Sequence, residues 1–518
     1  MSNKSKILWV DDEIEILKPH ILFLEQKGYE LAPVSNGSDA IDMIKTEDFD
    51  IIFLDENMPG LSGLETLAQI KNLKPNIPVV MITKSEEETI MEEAIGSKIS
   101  DYLIKPVNPN QILLSLKKNL EDRRLIQEKT SGSYQKEFTR MGMEISPNLT
   151  VEEWITLYRK IIFWELELQK ANDENMLMIL QTQKEEANKV FSKAFIRNYR
   201  EWLTDPKTSP ILSHTVMQKS VFPLLNKQEK ILVVVIDNLR YDQWKAIEPA
   251  IEGHFRVVKD TMYCSILPTA TQYARNSLFA GLMPVDIQKR FPQYWLDDDD
   301  DDNSKNQFES ELFGELLKRS GLNMKFNFSK ILNLRAGRKY VDTFSNIASN
   351  QINVLVYNFV DMLSHSKTNM EIIKELANDE AAYRSITRSW FDHSPLAEVF
   401  ELAARHNFKI VLTTDHGSIR VKNPVKIFGD RETNANIRFK FGKNLNSEGK
   451  NVFELRNPAE LYLPRPNVST SYMFCQSTDY FVYPNNYNYY VNFFADTFQH
   501  GGISLEENLI PLITLAPK

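Results

Sequence analysis

Two cysteines in 518 residues, Cys264 and Cys475, leave no disulfide framework and no cysteine-built zinc site. No apolar run approaches a membrane span: the longest, Ile231–Ile236, is far too short, and the first residues lack the apolar core of a secretory signal. A soluble, cytoplasmic protein is the expectation. Positive charge is not in excess either. The net charge of −9 argues against duplex DNA as a partner, but a small nucleotide drawn in by metal ions stays open. No internal repeat occurs, and the acidic run Asp297–Asp302 reads as a solvated loop.

What the chain does have is apolar strands that end in metal-type ligands. Phe408–Ser418 (FKIVLTTDHGS) runs from a buried-strand pattern directly into Asp415, His416 and Gly417. Lys230–Ile236 ends at Asp237, and Asn353–Val360 ends at Asp361, with His365 one helical turn later. If these strands are parallel neighbours, the five groups share one rim of one sheet, where α/β proteins collect their chemistry. Five ligands exceed one tetrahedral zinc and suit a two-metal site.

The first ~120 residues alternate strand and helix in five βα units. Strands are expected at Lys6–Val10, around YELAPVS, at Asp50–Asp55, at Pro78–Thr83 and at Asp101–Lys105, with a first helix through Ile14–Lys27. The carboxyl rim then carries Asp11, Asp12, Asp55, Thr83 and Lys105. Clustered carboxylates repel unless a cation sits among them, and Mg²⁺ suits an all-oxygen pocket. Asp55 is placed to accept a phosphoryl group. The competing reading, a dinucleotide fold, lacks a Gly-rich phosphate loop after the first strand.

The segments VDDE, LDENMPGLSG, MITKS and YLIKP resemble the receiver domain of two-component response regulators. The resemblance implies that Asp55 is the phospho-acceptor and that Asp12, Asp55 and the Asn57 carbonyl hold Mg²⁺, with Asp11 assisting through water. It implies that Lys105 contacts the phosphoryl group, that Thr83 and Tyr102 form the switch, and that a sensor histidine kinase is the partner. Phosphorylation-dependent homodimerisation is a further expectation.

Residues ~121–225 carry apolar stripes at helical spacing: Val151, Trp154, Ile155, Tyr158, Ile161 and Ile162, then Ala187, Val190, Phe191, Ala194 and Phe195. A helical bundle is expected. DNA reading is the sharper alternative, but no basic cluster supports it. Thr204–Pro210 reads as a break, and Pro223 lies near the end.

From ~226 the metal-rim domain begins. A phosphate-transfer site needs a nucleophile, and Leu267–Pro284 offers Thr269 and Thr271 at a helix start, where backbone N–H groups face an anion. Either could instead be an N-cap. The spacing of Pro268, Thr271 and Gly281-Leu282-Met283-Pro284 is similar to nucleotide pyrophosphatases/phosphodiesterases of the alkaline phosphatase superfamily, which selects Thr271. Those enzymes place Asn three residues later, where this chain has Ala274; Arg275 and Asn276 are candidate substitutes. Asp237-Asn238-Leu239-Arg240-Tyr241-Asp242 resembles the PglZ members. That resemblance implies one zinc on Asp361, His365 and His500, a second on Asp237, Thr271, Asp415 and His416, and transfer through a phosphothreonine. His20, His214, His254, His393 and His406 match nothing and are expected on the surface or in packing.

The expected fold class is α/β: a doubly wound parallel-sheet receiver (1–122), a helical-bundle linker (123–225) and a larger alkaline phosphatase-like α/β domain (226–518). This combination resembles response regulators associated with type IX secretion. Substrates of nucleotide or oligonucleotide type are expected. Tyr480–Phe494 could stack bases, although strand packing explains it at least as well, and Lys330, Arg335, Arg338 and Lys339 could guide a phosphate chain. A non-catalytic platform docking a sigma factor or secretion component is the alternative output.

Overall fold

A computed structural model describes residues 5–74, 77–84, 99–225, 229–296, 306–369, 377, 379–429 and 434–518. The acidic run Asp297–Asp302 lies outside the described residues. The chain forms two compact units, residues 1–135 with 170–173, and residues 136–169 with 174–518.

In the first unit five parallel strands stand in the order β2-β1-β3-β4-β5: β1 Lys6–Val10, β2 Glu30–Val34, β3 Ile51–Asp55, β4 Val79–Thr83 and β5 Asp101–Ile104. Side chains alternate between faces, so Leu8, Val10, Ile52 and Leu54 enter one core while Ile7, Trp9, Ile51 and Phe53 enter the other. With helices on both faces the sheet is apolar on both sides. The first helix is Lys18–Gln26, shorter than the pattern implied, because turns occupy the residues after Asp11 and Pro19 sits in its first turn.

A helix of 36 residues, Pro109–Glu144, crosses the expected boundary near 122 without interruption. Helices Val151–Lys170 and Glu174–Thr204 follow and bury the two predicted apolar stripes, Trp154, Tyr158 and Ile161 on one and Ala187, Phe191 and Phe195 on the other. The second ends at the predicted break.

The second unit is built on a six-stranded sheet. Its strands are β6 Lys230–Ile236, β7 Phe255–Cys264, β8 Phe326–Ile331, β9 Ile352–Tyr357, β10 Phe408–Thr413 and the C-terminal strand Leu509–Pro517. The order is β7, Leu509–Pro517, β10, β6, β9, β8. β10, β6, β9 and β8 run parallel, and the C-terminal strand is antiparallel to both its neighbours. The three strands that lead to the candidate ligands are therefore adjacent and parallel, and their carboxyl ends share a rim. β9 stops at Tyr357, short of the expected end, so Asp361 lies in the first turn of helix Phe359–Asn369. Tyr480–Phe494 is not one strand. Tyr480–Val482 is buried strand, but Tyr487–Phe494 is a helix with Tyr487, Val491 and Phe494 against the core and Tyr489 63 % exposed. Apolar residues at i, i+4 and i+7 made that segment helical, a period hidden by its uniform aromatic content.

Candidate two-metal site

β6 delivers Asp237 and β10 delivers Asp415 and His416, all three buried, with ligand atoms within 4.8 Å of one another. His416 Nε2 is 3.9 Å from Asp237 Oδ1 and 3.6 Å from Asp415 Oδ2. The second cluster is Asp361, His365 and His500. Asp361 Oδ1 stands 3.4 Å from His365 Nε2 and 3.7 Å from His500 Nε2. The rings of His416 and His500 stack with centroids 4.2 Å apart, so the two clusters share one pocket.

Each buried imidazole is oriented by its far nitrogen. His500 Nδ1 is 3.1 Å from the Thr269 carbonyl, and His416 Nδ1 is 3.2 Å from the Gly417 carbonyl. A carbonyl only accepts, so Nδ1 carries the proton and Nε2 faces the pocket with a lone pair, the arrangement of a metal-ligating histidine. Burial lowers the pKa of both rings, that of His500 to about 3, and keeps them neutral. Burial also pushes the Asp237 and Asp415 carboxyls upward, with Arg275 opposing and the Asp361 charge adding to both. For Asp361 burial works the same way, but His365 and His500 outweigh it and hold the carboxyl below its usual range.

The donor set fits a divalent metal. Asp237 Oδ1 and Asp415 Oδ2 are buried and accept no hydrogen bond, a costly condition for a carboxylate oxygen without a cation beside it. Carboxylate oxygen and imidazole nitrogen are ordinary zinc donors.

Thr271 is the first residue of helix Thr271–Ala280, and its hydroxyl lies 3.1 Å from His416 Nε2. The N-cap is Ala270, so neither threonine caps the helix. Thr269 is buried and structural: its hydroxyl donates to the Gly502 carbonyl at 2.9 Å and accepts from Gly501 N–H at 3.0 Å, pinning the turn after His500. Thr271 is thus the threonine at the pocket. Ala274 faces the core, and Arg275 does not stand free for a substrate. It donates to Asp237 Oδ2 at 2.5 Å and Glu309 Oε1 at 2.6 Å, leaving Oδ1 of Asp237 toward the pocket.

Several residues around this site have roles that the sequence reading did not give them. Asn238, with φ of 65°, turns the chain just after Asp237 and donates to Ser364 Oγ at 3.1 Å and toward Asp361 Oδ1 at 3.4 Å. Asn tolerates that left-handed conformation, a signal that could have been used. Glu309 lies on helix Glu309–Arg319, remote in sequence. Lys330 points to Glu309, 3.6 Å away, instead of joining a surface patch, and Arg338 pairs with Glu398. Burial lowers the Lys330 pKa, with Arg275 adding to it. Of the remaining histidines, His20 bonds to the Val107 carbonyl, His393 to the Ser389 carbonyl, His254 faces Glu401, His406 packs on Phe344 and His214 is half-buried.

In the first unit Asp11, Asp12 and Asp55 form a third group with ligand atoms within 4.8 Å. Lys105 Nζ lies 2.9 Å from Asp11 Oδ2 and 3.0 Å from Asp55 Oδ1. Burial pushes Asp55 up to about 6, helped by Asp11 and Asp12 and opposed by Lys105. All-oxygen donors of this kind fit Mg²⁺. The Thr83 hydroxyl donates to Glu56, the residue after Asp55. Among the described residues no helix is long and apolar enough to cross a membrane.

Three segments of the chain match families of known proteins. Residues 7–117 match the response regulator receiver domain, residues 124–203 the PorX response regulator linker domain, and residues 216–515 the BREX system PglZ alkaline phosphatase-like domain. The alginate biosynthesis transcriptional regulatory protein AlgB of Pseudomonas syringae pv. tomato is 36% identical over 123 residues, covering 24% of this chain and 28% of that protein. The transcriptional regulatory protein ResD of Bacillus subtilis is 34% identical over 116 residues, covering 22% and 48%. The chain thus spans less than half the length of these relatives. A CheY-like receiver domain protein from Methanospirillum hungatei is similar at 28% identity and a TM-score of 0.23, covering 23% of this chain and 96% of that one. Receiver domains of this type work with a cognate kinase and typically bind Mg²⁺, and alkaline phosphatase-like domains bind metals.

Proposed function

The chain belongs to the PglZ alkaline phosphatase-like family, as a PorX-like response regulator with receiver, linker and PglZ domains, and from that premise we propose that the PglZ domain is a zinc-dependent phosphodiesterase controlled by phosphorylation of Asp55. The observation that carries the reading is the convergence of Asp237, Asp415, His416, Asp361, His365 and His500 with the Thr271 hydroxyl in one pocket. The first metal would be held by Asp237, Thr271, Asp415 and His416, the second by Asp361, His365 and His500. Two zinc ions bound there would supply positive charge for the non-bridging oxygens of a phosphodiester and would lower the pKa of a hydroxyl.

This chain's own groups then have definite tasks. Thr271 Oγ forms the new bond to phosphorus as the bond to the leaving oxygen breaks, giving a phosphothreonine that water hydrolyses in a second step. Helix Thr271–Ala280 aims its N-terminus at the transferred phosphoryl group. Arg275 orients Asp237 and opposes the effect of burial on its carboxyl. Substrates would be nucleotides or oligonucleotides, whose bases could stack on the exposed aromatic face of helix Tyr487–Phe494.

In the receiver, Mg²⁺ would be held by Asp12, Asp55 and the Asn57 carbonyl, with Asp11 assisting. Phosphorylation would engage Lys105 and draw Thr83 from Glu56, with Tyr102 following, and would promote homodimerisation and regulation of type IX secretion. The same exposed aromatic helix supports a second reading, a platform that docks a sigma factor or secretion component.

Hydrolysis of a chromogenic phosphodiester separates the two. Zinc-loaded wild type is expected to turn over, and the zinc-free protein and Thr271→Ala are not. Equal rates in wild type and Thr271→Ala, or no turnover by either, would leave the platform.

A further inference from the structure

Helix Glu174–Thr204 lies within the segment matched by the linker family, yet its buried face carries polar side chains. Lys184, Asn188 and Ser192 are all buried, and four-residue spacing sets them in one row. That row meets the segment that follows His500. Ser192 Oγ is 3.0 Å from the Ile503 carbonyl and 2.8 Å from the Asn188 carbonyl of its own helix. Asn188 accepts from Leu505 N–H at 2.7 Å and donates to the Glu506 carboxylate at 3.0 Å, and Lys184 Nζ lies 3.1 Å from the same carboxylate.

The segment held in this way touches both ligand clusters. It begins at His500. Its Gly502 N–H donates to Glu507 at 2.8 Å, and Arg438 fixes Glu507 from the other side at 2.6 Å. At its far end the Glu506 carbonyl presses on Gly417, where a Cβ would stand 2.0 Å from that oxygen. Gly417 follows His416 directly. A spacer helix needs only an apolar stripe, whereas a buried amide, hydroxyl and ammonium are costly unless each is matched. Here each is matched, and each has a partner in the one stretch that joins the two clusters, with Lys184 also pairing with Glu165 of helix Val151–Lys170 at 3.1 Å.

We infer that this helix is part of the site, with Asn188 and Ser192 as positioning residues that hold segment 500–507 so that His500 meets Asp361. Movement of the helix along its axis moves that segment, which makes it a route from the linker to the metal pocket. The consequence for metal binding rests on the two-zinc reading above. The geometric premise does not.

The test uses the full chain and the variants Asn188→Ala, Ser192→Ala and Ser192→Thr, the last keeping the hydroxyl. In hydrogen–deuterium exchange without metal, the amides of 501–508 are expected to exchange about tenfold faster in both alanine variants, with β6 and β10 protected as in wild type. In zinc titration calorimetry, one of two sites is expected to lose affinity on the order of tenfold while the other keeps it. Ser192→Thr is expected to recover both. Wild-type exchange at 501–508 in both alanine variants, or a uniform loss of protection through the whole domain, would overturn the inference. If the wild type took up no zinc, the two-metal reading would fall, and the exchange measurement would still decide this one.

Discussion

Removing one oxygen at position 271 separates chemistry from folding. In Thr271→Ala the remaining ligands of its cluster, Asp237, Asp415 and His416, stay in place. Zinc uptake measured by elemental analysis is therefore expected to stay at about two ions per chain, the number the two clusters fit, while turnover falls by on the order of a thousandfold or more, as loss of a nucleophile does elsewhere. Thr271→Ser is expected to keep part of the rate. A different residue, His214, sets a pH dependence unconnected with catalysis. Burial, with the Lys219 charge adding, depresses its pKa from 6.5 to about 4. The unfolded chain therefore takes up the proton first as pH falls, and stability drops between pH 6.5 and 4. Thermal melts across that window are expected to show a flatter profile for His214→Gln than for wild type.

At the scale of elements, the close approach of two loops governs the site. Gly417→Ala would drive a methyl group into the Glu506 carbonyl. Overpacking of this kind costs about 1–3 kcal/mol, and the shift falls on Asp415 and His416. A lower melting temperature with loss of the zinc beside Asp237, Asp415 and His416 is expected, whereas His500→Ala is expected to lose the zinc beside Asp361 and His365 and to melt closer to the chelated wild type. These elements were unequally legible in the sequence. β6 and β10 were plain because a central parallel strand is apolar on both faces and ends abruptly in a carboxylate or imidazole. Asp361 and His365 could be placed beside each other although Asp361 sits on a helix, since one turn of spacing works in either description. The charged residues of the linker helices were not legible. Lys184 and Glu165 carry no mark in the helical pattern, yet both are buried and paired with each other, Lys184 also with Glu506 and Glu165 also with Arg384, partners hundreds of residues away. A periodicity can show which face is apolar, but it does not show which polar residues the rest of the chain will cover. The aromatic run failed in the opposite way: its uniform composition concealed a helical period.

At the scale of the whole molecule, metal binding and stability are linked. A ligand that binds only the folded state at a hundred times its Kd adds about 2.7 kcal/mol. Chelation is therefore expected to lower the melting temperature of wild type, and to do so much less for Asp237→Ala combined with His500→Ala. Two zinc ions sharing the pocket around Thr271 would be visible individually by anomalous diffraction at the zinc edge. Two peaks about 3.5–4 Å apart are predicted, one beside Asp237, Asp415 and His416 and the other beside Asp361, His365 and His500. A single peak, or zinc bound only elsewhere on the surface, would contradict the two-zinc reading.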